Sequence, residues 1–208
     1  MKLYLSSYRL GENPQTLAEM FRSNKSVAVI ANSMDFLTDE LQRQEAAARE
    51  IKDLKDLGLE PEEVDLRDYF GKSELLSAKL SKFGGIWSRG GNVFILRRAY
   101  KESGLDEWLK EHRSNPEFVY AGYSAGVCLL APSLKGLEIV DDPNKVPDKY
   151  ATETEWSGLN LISYSIAPHY MSPHPESEAV NLVVEFFNKE NIEYKTLKDG
   201  EVRIDEIK

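Results

Sequence analysis

Short apolar runs alternate along the whole chain with segments of helical periodicity, and this alternation limits the fold more than any other feature. The strand-like runs cover residues 2–6, 26–30, 85–87, 117–123, 161–166, 193–197 and 202–204. The first helical pattern begins at Pro14, and the others cover residues 38–57, 92–103, 105–113 and 176–189. Strands that alternate with helices of this length are typical of βαβ units. We therefore predict an α/β fold with a mainly parallel sheet flanked by helices.

Composition and charge exclude several classes of protein. The 208 residues include 26 Lys and Arg against 35 Asp and Glu, a formal net charge of −9, and the basic residues are mixed with acidic ones, which argues against nucleic acid as a partner. No stretch approaches the roughly 18 apolar residues of a membrane span, and the apolar N-terminus is too short for a signal peptide. A single cysteine, Cys128, excludes an internal disulfide. We expect one domain over residues 1–208, located in the cytoplasm, without a membrane partner.

The segment Gly122-Tyr123-Ser124-Ala125-Gly126 carries the strongest chemical signal. It follows a predicted strand and precedes an apolar helical pattern, which is the context in which Gly-x-Ser-x-Gly forms a sharp turn with an exposed serine hydroxyl. The backbone N–H of Ala125 would then point at a developing oxyanion, favoured also by a helix dipole. The alternative is an ordinary strand-to-helix turn in which Ser124 only caps the helix.

A glycine pair, Gly90-Gly91, follows the strand-like run at residues 85–87 and precedes a helix. Glycines leave backbone N–H groups uncovered, as an oxyanion hole requires. The alternative is a simple turn with Asn92 as the helix N-cap.

A serine nucleophile needs a base, and three histidines are available. His112 lies among charged residues at a polar helix end, which favours a surface role. His169 directly follows a predicted strand, whereas His174 lies in the loop beyond it. Strand-end placement fixes the ring better, so we predict His169 as the base.

These segments together resemble the dipeptidase E family, the aspartyl dipeptidase-like serine peptidases that also include cyanophycinases. The resemblance is carried by the residue runs Gly90-Gly91-Asn92-Val93-Phe94, Gly122-Tyr123-Ser124-Ala125-Gly126, Ala167-Pro168-His169-Tyr170 and, more weakly, Leu197-Lys198-Asp199-Gly200. It implies a sandwich like that of class I glutamine amidotransferases, with serine in place of their cysteine.

The resemblance also implies site residues. Ser124 would be the nucleophile, His169 the base, and the N–H groups of Gly91 and Ala125 the oxyanion hole. Asp199 matches the position of the family's third member, normally a glutamate. The family commonly has three glycines before the asparagine, where this chain has Arg89 ahead of two. We do not extend the family's aspartate specificity to this chain, because we cannot match the family's substrate-binding cationic residues to positions in this sequence.

We therefore expect a serine exopeptidase or small amidohydrolase that cleaves short peptides through an acyl-enzyme, without metal or organic cofactor. Asn92 and Arg89 are candidates for substrate contact, and Arg97 and Arg98 could neutralise an acidic substrate. The expected partner is a small peptide, and a homo-oligomer is left open.

Three alternatives remain at this point. One is an α/β-hydrolase esterase with its acid between serine and histidine, at Asp141, Asp142 or Asp148. Another is a catalytically silent binding domain of the same fold. Within the predicted triad, Glu138, Asp141 and Asp142 are rivals of Asp199. Cys128, one helical turn beyond Ser124, is predicted to be a small buried hydrophobe rather than a nucleophile.

Overall fold

A six-stranded sheet forms the centre of the protein in the computed structural model, which describes residues 1–207. Its strands are β1 (Lys2–Ser6), β2 (Ser26–Ile30), β3 (Glu60–Glu63), β4 (Gly85–Ser88), β5 (Val119–Tyr123) and β8 (Val202–Glu206). They lie in the order β3-β2-β4-β5-β1-β8, and all neighbouring strands are parallel except β1 and β8, which are antiparallel. The predicted mainly parallel sheet is confirmed.

Helices cover both faces of this sheet. They are α1 (Pro14–Met20), α2 (Glu40–Asp56), α3 (Ser73–Leu80), α4 (Val93–Ser103), α5 (Leu105–Glu111), α6 (Ala125–Cys128) and α7 (Ser177–Lys189). Alternate strand residues enter different cores: Val27 and Val29 pack with α1 and α2, whereas Ala28 and Ile30 pack with the other helices. Both faces are therefore buried, as is usual for a parallel sheet.

A second, two-stranded parallel sheet pairs β6 (Ser165–Ala167) with β7 (Tyr194–Thr196). Helix α7 connects these strands, so that β6-α7-β7 is itself a βαβ unit. The strand predicted at residues 161–166 is shorter than expected, because Leu161 and Ile162 bond to the Leu130 carbonyl instead.

Two elements were missed by the sequence analysis. Strand β3 has the sequence Glu-Pro-Glu-Glu, which carries no apolar alternation because this strand lies at the sheet edge beside β2 alone. Helix α3 is short and only two of its residues, Leu76 and Leu80, are buried, so its periodic signal is weak.

The helix expected after Ser124 is a single turn, α6, in the structure. Four residues cannot build the macrodipole that the sequence analysis invoked. Any stabilisation of negative charge near Ser124 must therefore come from individual N–H groups.

The irregular segment at residues 133–157 is held down by buried arginines of α4. Arg98 donates to the carbonyls of Pro143 (2.9 Å) and Glu153 (3.2 Å), and Arg97 pairs with Asp106 at 3.0 Å. Both side chains are at most 4% exposed. The idea that Arg97 and Arg98 neutralise a substrate is therefore wrong, because both are committed to the fold.

Among the helices of residues 1–207, none is both long and apolar enough to cross a membrane.

Candidate active site

Ser124 lies between β5 and α6 in a backbone conformation that non-glycine residues seldom adopt, with φ 49° and ψ −121°. Such strain costs roughly 1–3 kcal/mol and persists only where the surroundings impose it. The side chain is partly exposed and makes no hydrogen bond within the described chain. The hydroxyl is thus free to react with a molecule in the adjoining cleft.

The glycines on either side of Ser124 are imposed by the neighbouring strand. A Cβ at Gly122 would lie 2.4 Å from the Ser88 carbonyl oxygen, and one at Gly126 would lie 2.1 Å from it. Backbone atoms of β4 therefore leave no room for a side chain at either position.

The turn after β4 brings two N–H groups to the same place. Gly91 has φ 141°, and a Cβ there would lie 2.7 Å from the Ser33 carbonyl oxygen, so only glycine fits. Within residues 1–207, neither the N–H of Gly91 nor that of Ala125 donates to a protein acceptor. Two unpaired backbone donors are what an oxyanion hole requires.

Asn92 is placed as a helix cap. Its Oδ1 accepts from the N–H groups of Phe94 (2.9 Å) and Ile95 (3.0 Å), and its Nδ2 donates to the Asp142 carbonyl (3.1 Å). The alternative interpretation, in which Asn92 is the N-cap of the helix, is therefore correct, because both ends of its side-chain amide make hydrogen bonds within the protein. Arg89, by contrast, lines the cleft beside Ser124.

His169 and Asp199 meet at the carboxyl ends of the small sheet. Ala167 of β6 lies opposite Thr196 of the parallel strand β7. His169 and Asp199 follow these two residues, so their side chains lie just beyond the ends of adjacent strands. The Nδ1 of His169 is 2.6 Å from Asp199 Oδ1. This contact fixes the ring and assigns the proton to Nδ1, which leaves Nε2 free to accept one.

Two serines that the sequence analysis missed hold this pair. The Oγ of Ser7 accepts from the His169 N–H at 2.8 Å and lies 3.1 Å from Asp199 Oδ1. The Oγ of Ser172 accepts from the Asp199 N–H at 2.8 Å. Ser7 directly follows β1 and lies 162 residues before His169 in the sequence, so no local motif indicates the contact.

Aromatic rings cover His169. The ring of His174 stacks on it with centroids 3.7 Å apart, and the edge of Tyr8 contacts both imidazoles. His169 is only 1% exposed. Burial lowers the pKa of His169 below its ordinary value, His174 lowers it further, and the hydrogen bond to Asp199 opposes part of that shift.

Two cavities meet at Ser124. The outer cleft, of about 120 Å³, is lined by Tyr8, Arg9, Arg49, Arg89, Gly90, Gly91, Tyr123, Ser124, His169, His174 and Glu176. The inner pocket, of about 20 Å³, is lined by Val93, Ser124, Ala125, Cys128, Leu137, Val140, Asp141, Ala167, Pro168, Glu176, Val180 and Val183. Only Ser124 and Glu176 border both.

A buried carboxylate supports the floor of the outer cleft. Glu50 of α2 accepts from Trp87 Nε1 (2.8 Å) and from the Tyr123 hydroxyl (2.9 Å), and Arg89 Nε lies 3.1 Å from it. Glu50 is 1% exposed, which a glutamate tolerates only when it is paired. Sequence reasoning missed Glu50 because its partners are strand residues far along the chain.

The rival acids lie elsewhere. Asp141 accepts from the Val93 N–H at 2.8 Å, Glu138 accepts from the Gly136 N–H, and Asp148 lines a different surface cleft beside Arg67. Within the described chain, the acids near the His169 ring are Asp199 and Glu176, whose Oε2 is 4.0 Å from Nε2. An α/β-hydrolase triad through Asp141, Asp142 or Asp148 therefore finds no support.

Cys128 is buried, and its Sγ lies 3.4 Å from the Ile166 carbonyl oxygen. Burial raises the pKa of its thiol well above the ordinary value, which keeps it protonated and unreactive. His112 stacks on Trp108, away from the cleft.

Among the residues that the structure describes, one group could hold a metal ion: donor atoms of His169, His174 and Glu176 all lie within 4.8 Å of one another. A cation there would bind a ring nitrogen of His169, and that nitrogen could then no longer accept a proton.

Known proteins similar to this chain are peptidases by name. The sequence model of peptidase family S51 matches residues 14–203. An uncharacterized peptidase of Listeria monocytogenes is 30% identical over 68% of this chain, and peptidase E of Streptomyces coelicolor is 36% identical over 48%. The aligned segments span 65% and 37% of those two relatives.

Solved structures show the same fold. That of a candidate peptidase E protein from Listeria monocytogenes EGD-e superposes with a TM-score of 0.70 at 24% identity, covering 100% of this chain and 98% of that one. A peptidase from an acI-B1 actinobacterium superposes with a TM-score of 0.68 at 15% identity, covering 99% and 83%.

Proposed function

Since the chain belongs to peptidase family S51, we propose that it is a cytoplasmic serine exopeptidase that hydrolyses short peptides through Ser124, His169 and Asp199. The observation that carries the proposal is the convergence of three features on one cleft. These are a strained serine without a hydrogen bond, two unpaired N–H groups, and a histidine whose Nδ1 is held 2.6 Å from a carboxylate.

The proposed reaction proceeds in two steps. Ser124 Oγ forms a bond to the carbonyl carbon while His169 Nε2 takes the hydroxyl proton, and the oxyanion accepts hydrogen bonds from the N–H groups of Gly91 and Ala125. The C–N bond then breaks as His169 gives its proton to the leaving amine. Water then attacks the acyl carbonyl as His169 Nε2 takes one of its protons, the bond from the acyl carbon to Ser124 Oγ breaks, and His169 returns that proton to Ser124 as the acid product leaves. Each proton transfer uses groups of this chain.

Asp199 acts on His169 rather than on the peptide. It keeps the proton of the neutral imidazole on Nδ1 and stabilises the imidazolium that forms during attack. Ser7 and Ser172 hold the acid and the histidine backbone in register.

The direct test is covalent labelling. A fluorophosphonate should add one equivalent to the protein, and peptide mapping should place it on Ser124. Ser124→Ala should lose the label and nearly all peptide hydrolysis, with kcat reduced by on the order of 10³ or more. Ser81→Ala, a surface serine on the far side of the fold from the cleft residues, is the matched control and should label normally.

Exopeptidase character is tested separately with one peptide in three forms: unblocked, N-acetylated and C-amidated. We expect loss of turnover when one terminus is blocked. An unlabelled wild-type protein would contradict the serine mechanism, and a catalytically silent binding domain would then be the better reading. Equal cleavage of all three forms would contradict exopeptidase action alone. A chelator in the buffer excludes occupancy of the His169–His174–Glu176 group during the assay.

A further inference from the structure

The inner pocket is a distinct chamber behind Ser124, separate from the cleft that contains His169. Its walls are mostly aliphatic: Val93, Leu137, Val140, Val180 and Val183 surround it. It borders Ser124 and Ala125, which provide the nucleophile and one oxyanion donor in the proposed mechanism. A group covalently held on Ser124 can therefore extend into it.

The position of His169 decides which part of the peptide enters which cavity. The histidine must give its proton to the leaving amine, so the leaving group has to lie on the side of Ser124 that the imidazole borders. That side is the outer cleft, whose lining includes His169 and His174. The acyl residue, on the other side of the scissile bond, is left with the inner pocket.

In the part of the chain that the structure describes, the inner pocket contains acidic groups and no basic ones. Its ionisable lining groups are Asp141 and Glu176, together with the buried Cys128 thiol, and among the residues of 1–207 that line it there is no lysine or arginine. The arginines near Ser124, which are Arg9, Arg49 and Arg89, border the outer cleft instead. A carboxylate in the inner pocket would meet two acids and no cation, at low dielectric, where like charges repel strongly.

The size of the pocket sets a second limit. A free volume of about 20 Å³ admits a group only slightly larger than one water molecule. Val180 and Val183 are at most 3% exposed and belong to the core, so this wall does not yield easily.

We propose that the inner pocket binds the side chain of the acyl residue and selects the methyl group of alanine over larger side chains, while rejecting aspartate and glutamate on charge as well as size. The proposal rests on the proposed peptidase function and deepens it.

Four dipeptides test how the charge and the size of the acyl side chain affect the rate of cleavage. Ala-Leu, Val-Leu, Asn-Leu and Asp-Leu differ only in the acyl residue, and Asn and Asp share one shape. We expect kcat/KM for Ala-Leu to exceed the values for Val-Leu and Asp-Leu, that for Asp-Leu by at least about tenfold, which corresponds to 1.4 kcal/mol in transition-state binding. Asn-Leu should also exceed Asp-Leu. Faster cleavage of Asp-Leu would overturn the proposal.

Two variants locate the preference. Val140→Lys adds a cation at the partly exposed rim of the pocket and should raise kcat/KM for Asp-Leu relative to Val-Leu by about tenfold. Ile139→Lys adds the same charge at the preceding, exposed position outside the pocket and should leave this ratio unchanged.

Val180→Ala enlarges the pocket and should raise kcat/KM for Leu-Leu relative to that for Ala-Leu. Leu182→Ala removes an exposed side chain from the same helix and should leave this ratio unchanged. Unchanged ratios in Val140→Lys and Val180→Ala would place the acyl side chain elsewhere.

A binding measurement separates this proposal from the proposed function. In Ser124→Ala, calorimetric titration should show tighter binding of Ala-Leu than of Asp-Leu. Selective binding without any turnover in the wild type would contradict the peptidase function and leave the pocket's selectivity standing. Turnover combined with tighter binding of Asp-Leu would uphold the peptidase function and overturn the selectivity.

Discussion

At the scale of single residues, loss of hydration governs the chemistry of His169. Burial is the largest influence on its pKa and lowers it, and the stacked His174 acts in the same direction. The hydrogen bond from Nδ1 to Asp199 raises the pKa but does not restore its ordinary value of 6.5. A base with a lowered pKa stays unprotonated, and hence competent, at neutral pH.

The first prediction follows from that direction. kcat/KM should rise with pH and level off once His169 is deprotonated, with a midpoint below the ordinary histidine value of 6.5. His169→Ala should remove this limb and most activity. His174→Ala should keep it but move it to higher pH, because a group that lowers the pKa of His169 has been removed. If His174→Ala abolished the limb while His169→Ala retained it, the two histidines would have been assigned the wrong way round.

The second prediction concerns the acid. Asp199→Asn should keep the fold, since Ser7 and Ser172 still anchor the segment, yet lower kcat by on the order of 10²–10⁴ by favouring the wrong imidazole tautomer. Activity and circular dichroism of the same preparation check both parts. Full activity in Asp199→Asn, together with a strong loss in Glu176→Gln, would instead assign the role to the other acid near the ring.

Sequence reasoning proposed Ser124 and His169 from their strand-end positions and Asp199 from the family resemblance, and the structure places Ser124 and His169 on one cleft with Asp199 against the histidine. It missed Ser7 and Glu50, whose importance comes only from partners brought close by the fold. It offered Asn92 as a substrate contact although the residue type fits a helix cap equally well, and the structure uses it as a cap. A local sequence pattern therefore indicates candidate reactive groups better than it indicates the residues that hold them in place.

At the scale of elements, two βα turns and one βαβ unit assemble the site. The turns after β4 and β5 pack so closely that the Ser88 carbonyl excludes any side chain at Gly122 or Gly126. The β6-α7-β7 unit brings His169 and Asp199 together. The sequence predicted the helix at residues 176–189 and the strand at residues 193–197. It did not predict that β6 and β7 form a separate sheet, because strand pairing leaves no local signature in the sequence.

The third prediction tests this close packing. Gly126→Ala places a methyl group 2.1 Å from the Ser88 oxygen, so it should displace Ser124 and reduce fluorophosphonate labelling by at least about tenfold, with a lower melting temperature. Gly58→Ala is the control: its φ is 78°, but no atom lies within 4 Å of the added methyl. It should cost about 1 kcal/mol of backbone strain and leave labelling intact. Equal labelling of both variants would show that contact with β4 does not fix the serine.

At the scale of the whole molecule, the two layers of helices give the two sides of Ser124 different surroundings. The outer cleft opens toward Tyr8 and the arginines, whereas the inner pocket lies within the core built by α4 and α7. Asp141, a half-buried acid that lines the inner pocket, loses hydration when the chain folds. Burial raises the pKa of Asp141 to about 7, and its hydrogen bond from the Val93 N–H offsets only part of this effect.

The fourth prediction is a pH dependence of global stability. Because the pKa of Asp141 is raised in the folded protein, its contribution to stability is greatest at pH values below its unfolded pKa of about 4 and is lost as pH rises through about 7. Asp141→Asn removes the charge and keeps a carbonyl oxygen to accept from Val93. The variant should therefore melt at a higher temperature than the wild type at pH 8, by about 2 °C or more, with a smaller difference at pH 5.

Asp142→Asn provides the matched control for that experiment. Asp142 is exposed, and although its side chain accepts from the Asn144 N–H, it lies outside the inner pocket. Its substitution should shift the melting temperature little and equally at both pH values. A difference between Asp141→Asn and the wild type that is constant from pH 5 to pH 8 would mean that Asp141 is ionised throughout this range. The negative character of the inner pocket would then be permanent, and its rejection of acidic side chains should persist unchanged at pH 5 instead of weakening as Asp141 takes up a proton.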